Sequence, residues 1–179
     1  MATSKYLTTQ YTSENFVESS GAILFDLSHE TKRVCLIHYI VKDEWLLAKG
    51  RRNCGESRRD AALREVEKET GYKCHIHPVT MSTRAPRATE ADDVSDQARS
   101  YPDLSEPFMS LFASWVKDQT QKLIWWYIAA VDEEPSDSRP SADCNFTAEF
   151  FTYDEALQKL TFQDDRNVLA RAITLVESP

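Results

Sequence analysis

Gly50-Arg-Arg-Asn-Cys-Gly-Glu-Ser-Arg-Arg-Asp-Ala-Ala-Leu-Arg-Glu-Val-Glu-Lys-Glu-Thr-Gly-Tyr72 is the most sharply punctuated stretch of this 179-residue chain. Ser57 suits a helix N-cap, with Asp60 three residues later in place of the usual capping-box glutamate. Ala62, Leu63 and Val66 fall on one helical face. Gly71 suits the left-handed position that ends a helix. The spacing therefore predicts a helix between Ser57 and Gly71. Glu65 and Glu69 lie four residues apart and share a face, which the pattern puts opposite the apolar stripe and away from the core. Two carboxylates so placed repel one another unless a cation sits between them, and oxygen donors suit a hard divalent ion. A metal bound there would draw in phosphate oxygens and activate water. Just upstream, Lys49, Arg51 and Arg52 supply the positive charge that phosphate binding requires, and Gly50 and Gly55 allow tight turning.

Upstream of this stretch, residues 21–25 and 34–40 read as strands joined by a polar hairpin loop. Residues 44–48 read as a short strand that runs into a basic loop at 49–55. Downstream, residues 72–79, 108–116, 122–131 and 148–153 read as further strands, with a polar turn at 117–121. Residues 154–160 and 165–176 make one C-terminal helix or two, with Asp154 and Asp164 or Asp165 as caps. Residues 87–107 and 132–143 lack apolar periodicity, and a loop as long as the first is either functional or disordered. Residues 1–15 read as a flexible polar arm ahead of one domain at 16–179. Strands and helices mix without strict βαβ alternation, so the fold class is α/β or α+β with a mixed sheet.

Composition narrows the function. The net charge of −8 argues against general nucleic-acid binding, which needs a basic surface, though not against a local basic pocket. The longest apolar run, 123–131, is too short to span a membrane. The N-terminus lacks the apolar stretch of a signal peptide. The expectation is a cytoplasmic protein, or a nuclear one. Cys35, Cys54, Cys74 and Cys144 form no CxxC pair and read as free thiols. His75 and His77 would share one face of a strand but supply too few ligands for a metal, so residues 74–77 read as an edge strand.

Gly50-x5-Glu56-x7-Arg64-Glu65-Val66-x2-Glu69-x-Gly71-Tyr72 resembles the Nudix box, the signature of the Nudix hydrolase superfamily. The preceding strands, the Leu47-Ala-Lys-Gly50 lead-in and Glu149-Phe-Phe-Thr-Tyr-Asp-Glu-Ala-Leu157 extend the resemblance over roughly residues 16–176. It implies an α/β/α sandwich and a pyrophosphohydrolase. It further implies Mg2+ or Mn2+ on Glu65, Glu69 and the Gly50 carbonyl. Arg64 would pair with Glu56, leaving Glu56 a supporting or water-mediated metal role. Arg64, Glu65 and Glu69 would then carry catalysis. Lys68 departs from the pattern, which has a glutamate there. The lysine reduces the number of metal ions held, or touches a phosphate, or disables catalysis.

The lead-in Lys49-Gly-Arg-Arg-x-x-Gly-Glu56 is similar to the form found in Nudix enzymes that cleave diadenosine and diphosphoinositol polyphosphates, with Ala48 in place of proline. The expected partner is thus a small polyphosphorylated molecule held by Lys49, Arg51, Arg52, Lys68 and Arg84, on a monomer or homodimer. A regulatory module that binds a phosphorylated metabolite is the competing class; an mRNA-decapping type is disfavoured by the acidic charge. Outside the box, Glu106 or Glu149 would complete metal binding or act as base. Trp115, Trp125, Trp126 and Tyr127 serve the core or stack on a base. Arg84 and Arg87 bind phosphates or offset the acidic run that follows them.

Overall fold

The computed structural model describes residue 6 and residues 8–91, 93–114, 120–132 and 144–178. Its centre is β1 (Phe16–Asp26), which carries apolar side chains on both faces: Ala22 and Leu24 on one, Ile23 and Phe25 on the other. A strand buried on both sides belongs in the middle of a sheet covered on both faces. β1 runs parallel to β9 (Gln121–Val131), in register from Phe16↔Gln121 to Phe25↔Ala130. A parallel pair needs a long crossover, and the segment between these strands carries the 57–71 helix, α1 (Arg58–Thr70).

The other neighbours of β1 are antiparallel. β2 (Arg33–Tyr39) pairs with its C-terminal end and β4 (Lys49–Arg51) with its N-terminal half. The main path is β10 (Phe146–Thr152), β2, β1, β9 and β5 (Cys74–Ile76), with β3 (Glu44–Leu46) on β2 and β8 (Met109–Ser114) on β9. β6 (Val79–Thr83) and β7 (Arg99–Leu104) make a separate two-stranded ribbon.

α1 lays Ala62 and Val66 against Ala22, Leu24, Cys35 and Ile37 on one sheet face. α2 (Tyr153–Lys159) and α3 (Gln163–Glu177) cover the opposite face with Ala156, Leu160, Val168, Leu169 and Ala172. The expected α/β/α sandwich with a mixed sheet is therefore the fold, and each fully buried Leu adds about 1.5–3 kcal/mol. All four cysteines are free, as expected. No helix among the described residues is long and apolar enough to cross a membrane.

Several local expectations are corrected. Residues 49–51 are a strand, because β1 offers them a ladder partner that sequence cannot show. The 72–79 run divides: β5 edges the main sheet, where His75 bonds Asp132 at 2.6 Å, and β6 joins the ribbon. The long acidic segment contains β7. The C-terminal helices are two, and neither is capped by aspartate: Thr152 forms a capping box with Glu155, and Phe162 precedes α3 without a side-chain bond. Trp115 and most of the 132–143 segment lie outside the described residues.

Candidate active site

The caps that define α1 are those the sequence suggests. Ser57 Oγ accepts the Asp60 N–H at 3.0 Å, and Gly71 ends the helix at φ 75°. The orientation is not. Glu65 and Glu69 are 6% and 7% exposed, whereas Leu63 is only half-buried. The glutamate face turns inward because β4 passes beside it. A Cβ on Gly50 would fall on the Glu65 carboxylate, so the missing side chain is what lets the acid sit there.

The hydrogen bonds of β4 identify which main-chain groups face the glutamates. Arg52 N–H donates to the Glu18 carbonyl at 3.0 Å. Lys49 N–H leaves the ladder and donates to Glu69 Oε2 at 3.0 Å. Antiparallel ladders alternate, so Gly50, opposite Ser20, directs its own N–H and C=O at β1. The Gly50 carbonyl, expected as a ligand, thus points away from the glutamate face. On the α1 side lie the main-chain groups of Lys49 and Arg51, and the Arg51 carbonyl already accepts Arg64 Nη2 at 3.0 Å.

Arg64 organises the other side. It donates to Glu56 Oε1 at 2.6 Å and Oε2 at 2.9 Å, and also to Glu65 Oε1. Asn53 N–H adds a third bond to Glu56 at 2.8 Å. The Arg64 hydrogen bond above all holds the Glu56 carboxyl down at about 2. Both oxygens are committed and Glu56 does not line the pocket, an arrangement that suits the supporting role expected of it. Glu69 is the reverse case. Burial pushes its carboxyl up to about 7, and the neighbouring Glu65 charge adds to the rise, against the Lys49 N–H and the Lys49 and Lys68 charges. Lys68 Nζ lies 3.6 Å from Glu65 Oε2.

These groups line a cavity of about 520 Å³ with Lys49, Arg51, Lys68 and Lys122 on its walls and Ser19 and Phe146 beside them. Lys122 is a site residue that sequence reasoning missed. It opens β9 at a position where a polar residue at a strand start carries no signal, and only the parallel pairing brings it to β4. Burial pushes its ammonium pKa down, and the charges of Lys49 and Arg51 add to that. The Ser19 hydroxyl is fully buried without a partner among the described residues. Phe146 packs on Tyr39 with ring centroids 5.2 Å apart.

Other expected residues lie elsewhere. Arg52 bonds Glu18 at 3.1 Å and the Glu56 carbonyl at 2.8 Å, on the far side of the box loop. Arg84 pairs with Asp96 at 3.1 Å, and Arg87 stacks on Tyr101; neither reaches the pocket. Glu149 lies within β10 opposite Leu36, and the Glu106 charge raises the Tyr127 phenol pKa; neither lines the glutamate pocket. Trp126 is core, while Trp125 donates to Glu18 at 3.0 Å beneath the Arg58 guanidinium.

Among the described residues no three acidic, histidine or cysteine side chains make a ready metal cage. Two buried carboxylates and a main-chain oxygen nevertheless fit a hard divalent ion that keeps several waters. The raised Glu69 pKa marks charge that such an ion would neutralise.

The chain matches the NUDIX domain over residues 17–172 and belongs to that family. Nudix hydrolases generally use divalent metals. A curated relative, the 8-oxo-(d)GTP phosphatase of Mycolicibacterium smegmatis, is 26% identical over 170 residues, which are 90% of this chain and 42% of that protein. The chain thus spans less than half the length of that relative. Among solved structures, a C. elegans Ap4A hydrolase superposes with a TM-score of 0.57 at 16% identity, covering 89% of this chain and 96% of that one. A NUDIX hydrolase from Nitrosomonas europaea superposes with a TM-score of 0.58 at 15% identity, covering 88% of each chain.

Proposed function

We propose that the protein hydrolyses a phosphoanhydride bond of a small polyphosphorylated nucleotide, with a dinucleoside polyphosphate such as diadenosine polyphosphate as the favoured substrate and diphosphoinositol polyphosphate as the neighbouring choice. The observation that carries this reading is the buried Glu65–Glu69 pair set among Lys49, Arg51, Lys68 and Lys122. Glu65, Glu69 and the Lys49 carbonyl would hold Mg2+ or Mn2+, which when bound neutralises phosphate charge and lowers the pKa of an attacking water. The cations hold the phosphate chain and stabilise charge as the bond breaks. Arg64 fixes Glu65 by its hydrogen bond and is thereby a positioning residue. The Phe146–Tyr39 ring pair beside the cations favours a nucleobase over inositol, because stacking needs a flat π-face. The names of the M. smegmatis and C. elegans proteins point the same way, toward nucleotides.

The test is product release from a panel of diadenosine polyphosphates, diphosphoinositol polyphosphates and 8-oxo-dGTP, with Mg2+, Mn2+ or chelator. Turnover should require metal, and Glu69→Gln should lower kcat roughly a hundredfold or more, as expected for removing a preorganised electrostatic group. No turnover of any substrate, with Glu69→Gln indistinguishable from the parent, would sink the enzyme reading. One observation favours a second reading, a metabolite-binding module: Lys68 supplies Glu65 with a protein cation. In that case calorimetry would show tight binding without product.

A further inference from the structure

We propose that the cavity at the N-terminal end of α1 is a second binding site, for a phosphate group, separated from the glutamate pair by the Glu56–Arg64 ion pair. The cavity is about 430 Å³ and is walled by Arg52, Arg58, Arg59, Ser57 and Tyr127 together with Glu18 and Glu56. Its two acids are already committed. Glu18 Oε1 accepts Arg58 Nη2 at 2.6 Å and Trp125 Nε1 at 3.0 Å, and Oε2 accepts Arg52 Nε at 3.1 Å. Glu56 is saturated by Arg64 and the Asn53 N–H. These carboxylates offer little to a cation; they serve as a frame that fixes arginines. Arg58 is held by Glu18 and by the Trp125 ring, 4.2 Å beneath its guanidinium.

Two donors in the cavity have no partner among the described residues. Arg59 is exposed and makes no ion pair or hydrogen bond there. Tyr127 is 5% exposed, and its hydroxyl is likewise unpartnered. Burial pushes the Tyr127 phenol up, with Glu106 adding to the rise, while Arg58 and Arg59 pull it down. The hydroxyl therefore remains a neutral donor within reach of both guanidinium fields. The hydroxyl of a largely buried tyrosine, an open guanidinium fork and the first N–H groups of a 13-residue helix present donors to a tetrahedral oxyanion. Three arginines at one helix end stand out on a chain of net charge −8.

The experiment uses the full chain in chelator, so that no turnover enters the readout and the result is independent of the hydrolase reading. Inorganic phosphate is titrated and followed by calorimetry and by arginine side-chain NMR. Saturable binding is expected, weakened about tenfold by Arg59→Ala and by Tyr127→Phe, the loss of one charge-assisted or buried hydrogen bond each. Lys122→Met, in the other pocket, should leave it within about twofold. Arg59 is exposed, and Tyr127→Phe keeps the buried ring and removes only its hydroxyl, so these variants should fold. Inorganic tripolyphosphate then identifies the source. Weakening by both Arg59→Ala and Lys122→Met assigns the phosphate to the far end of one extended ligand; weakening by Arg59→Ala alone assigns it to a separate molecule. Either upholds the site. Phosphate binding that is absent, or that ignores Arg59→Ala and Tyr127→Phe, overturns it.

Discussion

Four buried or half-buried glutamates lie in or against the box loop and α1, and the fold treats them as two opposed pairs. Glu18 and Glu56 have both oxygens met by arginines, whereas Glu65 shares Arg64 and Glu69 has no arginine partner among the described residues. Burial alone would raise the Glu18 carboxyl, but hydrogen bonds from Arg58 and Trp125 outweigh it and leave the group below the ordinary carboxylate range. Glu56 is lower still, at about 2. Glu65 and Glu69 are more deeply buried, yet the second has only a main-chain N–H and nearby lysines to set against burial, and it rises to about 7. The difference separates two uses of one residue type. A carboxylate saturated by guanidinium groups braces the loop; a carboxylate that the fold leaves short of donors is, on the reading proposed above, a receptor for a cation. Charge that is not compensated by the protein itself is where chemistry is expected.

The largest test of that contrast removes the bridge between the pairs. Arg64→Leu strips Glu56 and Glu65 of their guanidinium and leaves the Arg51 carbonyl without its donor. Breaking a buried ion pair from one side leaves an uncompensated charge. Arg64 is itself about a third exposed, so solvent screens part of the cost, and a loss of roughly 3 kcal/mol is expected in chemical denaturation. A loss below roughly 1 kcal/mol would place Arg64 among ordinary surface pairs. The Glu56 brace should also give an acid signature. A depressed carboxyl stabilises the fold above its ordinary pKa of about 4.5, and that contribution fades as pH falls toward 2. Glu56→Gln should flatten stability over that window.

The brace was more legible in the sequence than the receptor. Ser57, Asp60 and Gly71 are local features set by helix geometry and caps, the Glu56–Arg64 pairing is what the Nudix-box resemblance implies, and the structure holds both. The inward turn of Glu65 and Glu69 was not legible, because it depends on β4 lying beside α1 and on Gly50 making room. Lys122 was invisible for a related reason: it is 73 residues from Lys49, and only the β1–β9 register unites them. Arg52 and Arg84 lie away from the glutamate pocket, because neither a place in the box loop nor one at the start of the long loop says which side of a strand or ribbon a side chain leaves from. The same parity argument moved the main-chain oxygen from Gly50 to Lys49.

The receptor half of the contrast predicts a pH dependence of opposite sign. Glu69 is held neutral in the fold to about pH 7 but ionises near 4.5 when unfolded. Between those values the folded state binds more protons than the unfolded state, so stability falls as pH rises. The penalty is absent below about 4.5 and complete above 7. Glu69→Gln removes the charge and keeps an acceptor for Lys49 N–H. In chelator it should match the parent at pH 4.5 and exceed it at pH 8, by on the order of 3 kcal/mol. Mg2+ should then close the gap by stabilising only the parent. Parallel stability curves for the two proteins across this range would mean that Glu69 is compensated after all.

The smallest effect concerns Lys68, where the two halves come closest to merging. Its ammonium reaches Glu65 at 3.6 Å, but the side chain is 50% exposed. A pair of that kind contributes about 0.2–1 kcal/mol, far less than the Arg64 bridge, so the lysine screens the receptor without closing it. Lys68→Gln should therefore shift stability by less than about 1 kcal/mol. Lys68→Glu restores the acid that the family pattern carries at this position, and so adds a negative charge where Glu69 is already short of compensation. In chelator it should push the Glu69 titration still higher, and with Mg2+ it should tighten metal binding. Turnover should change by no more than about tenfold, the kinetic equivalent of one modest electrostatic contact. A much larger rise, from a parent that binds but does not cleave, would mean that Lys68 does close the receptor and that the native protein is the binding module.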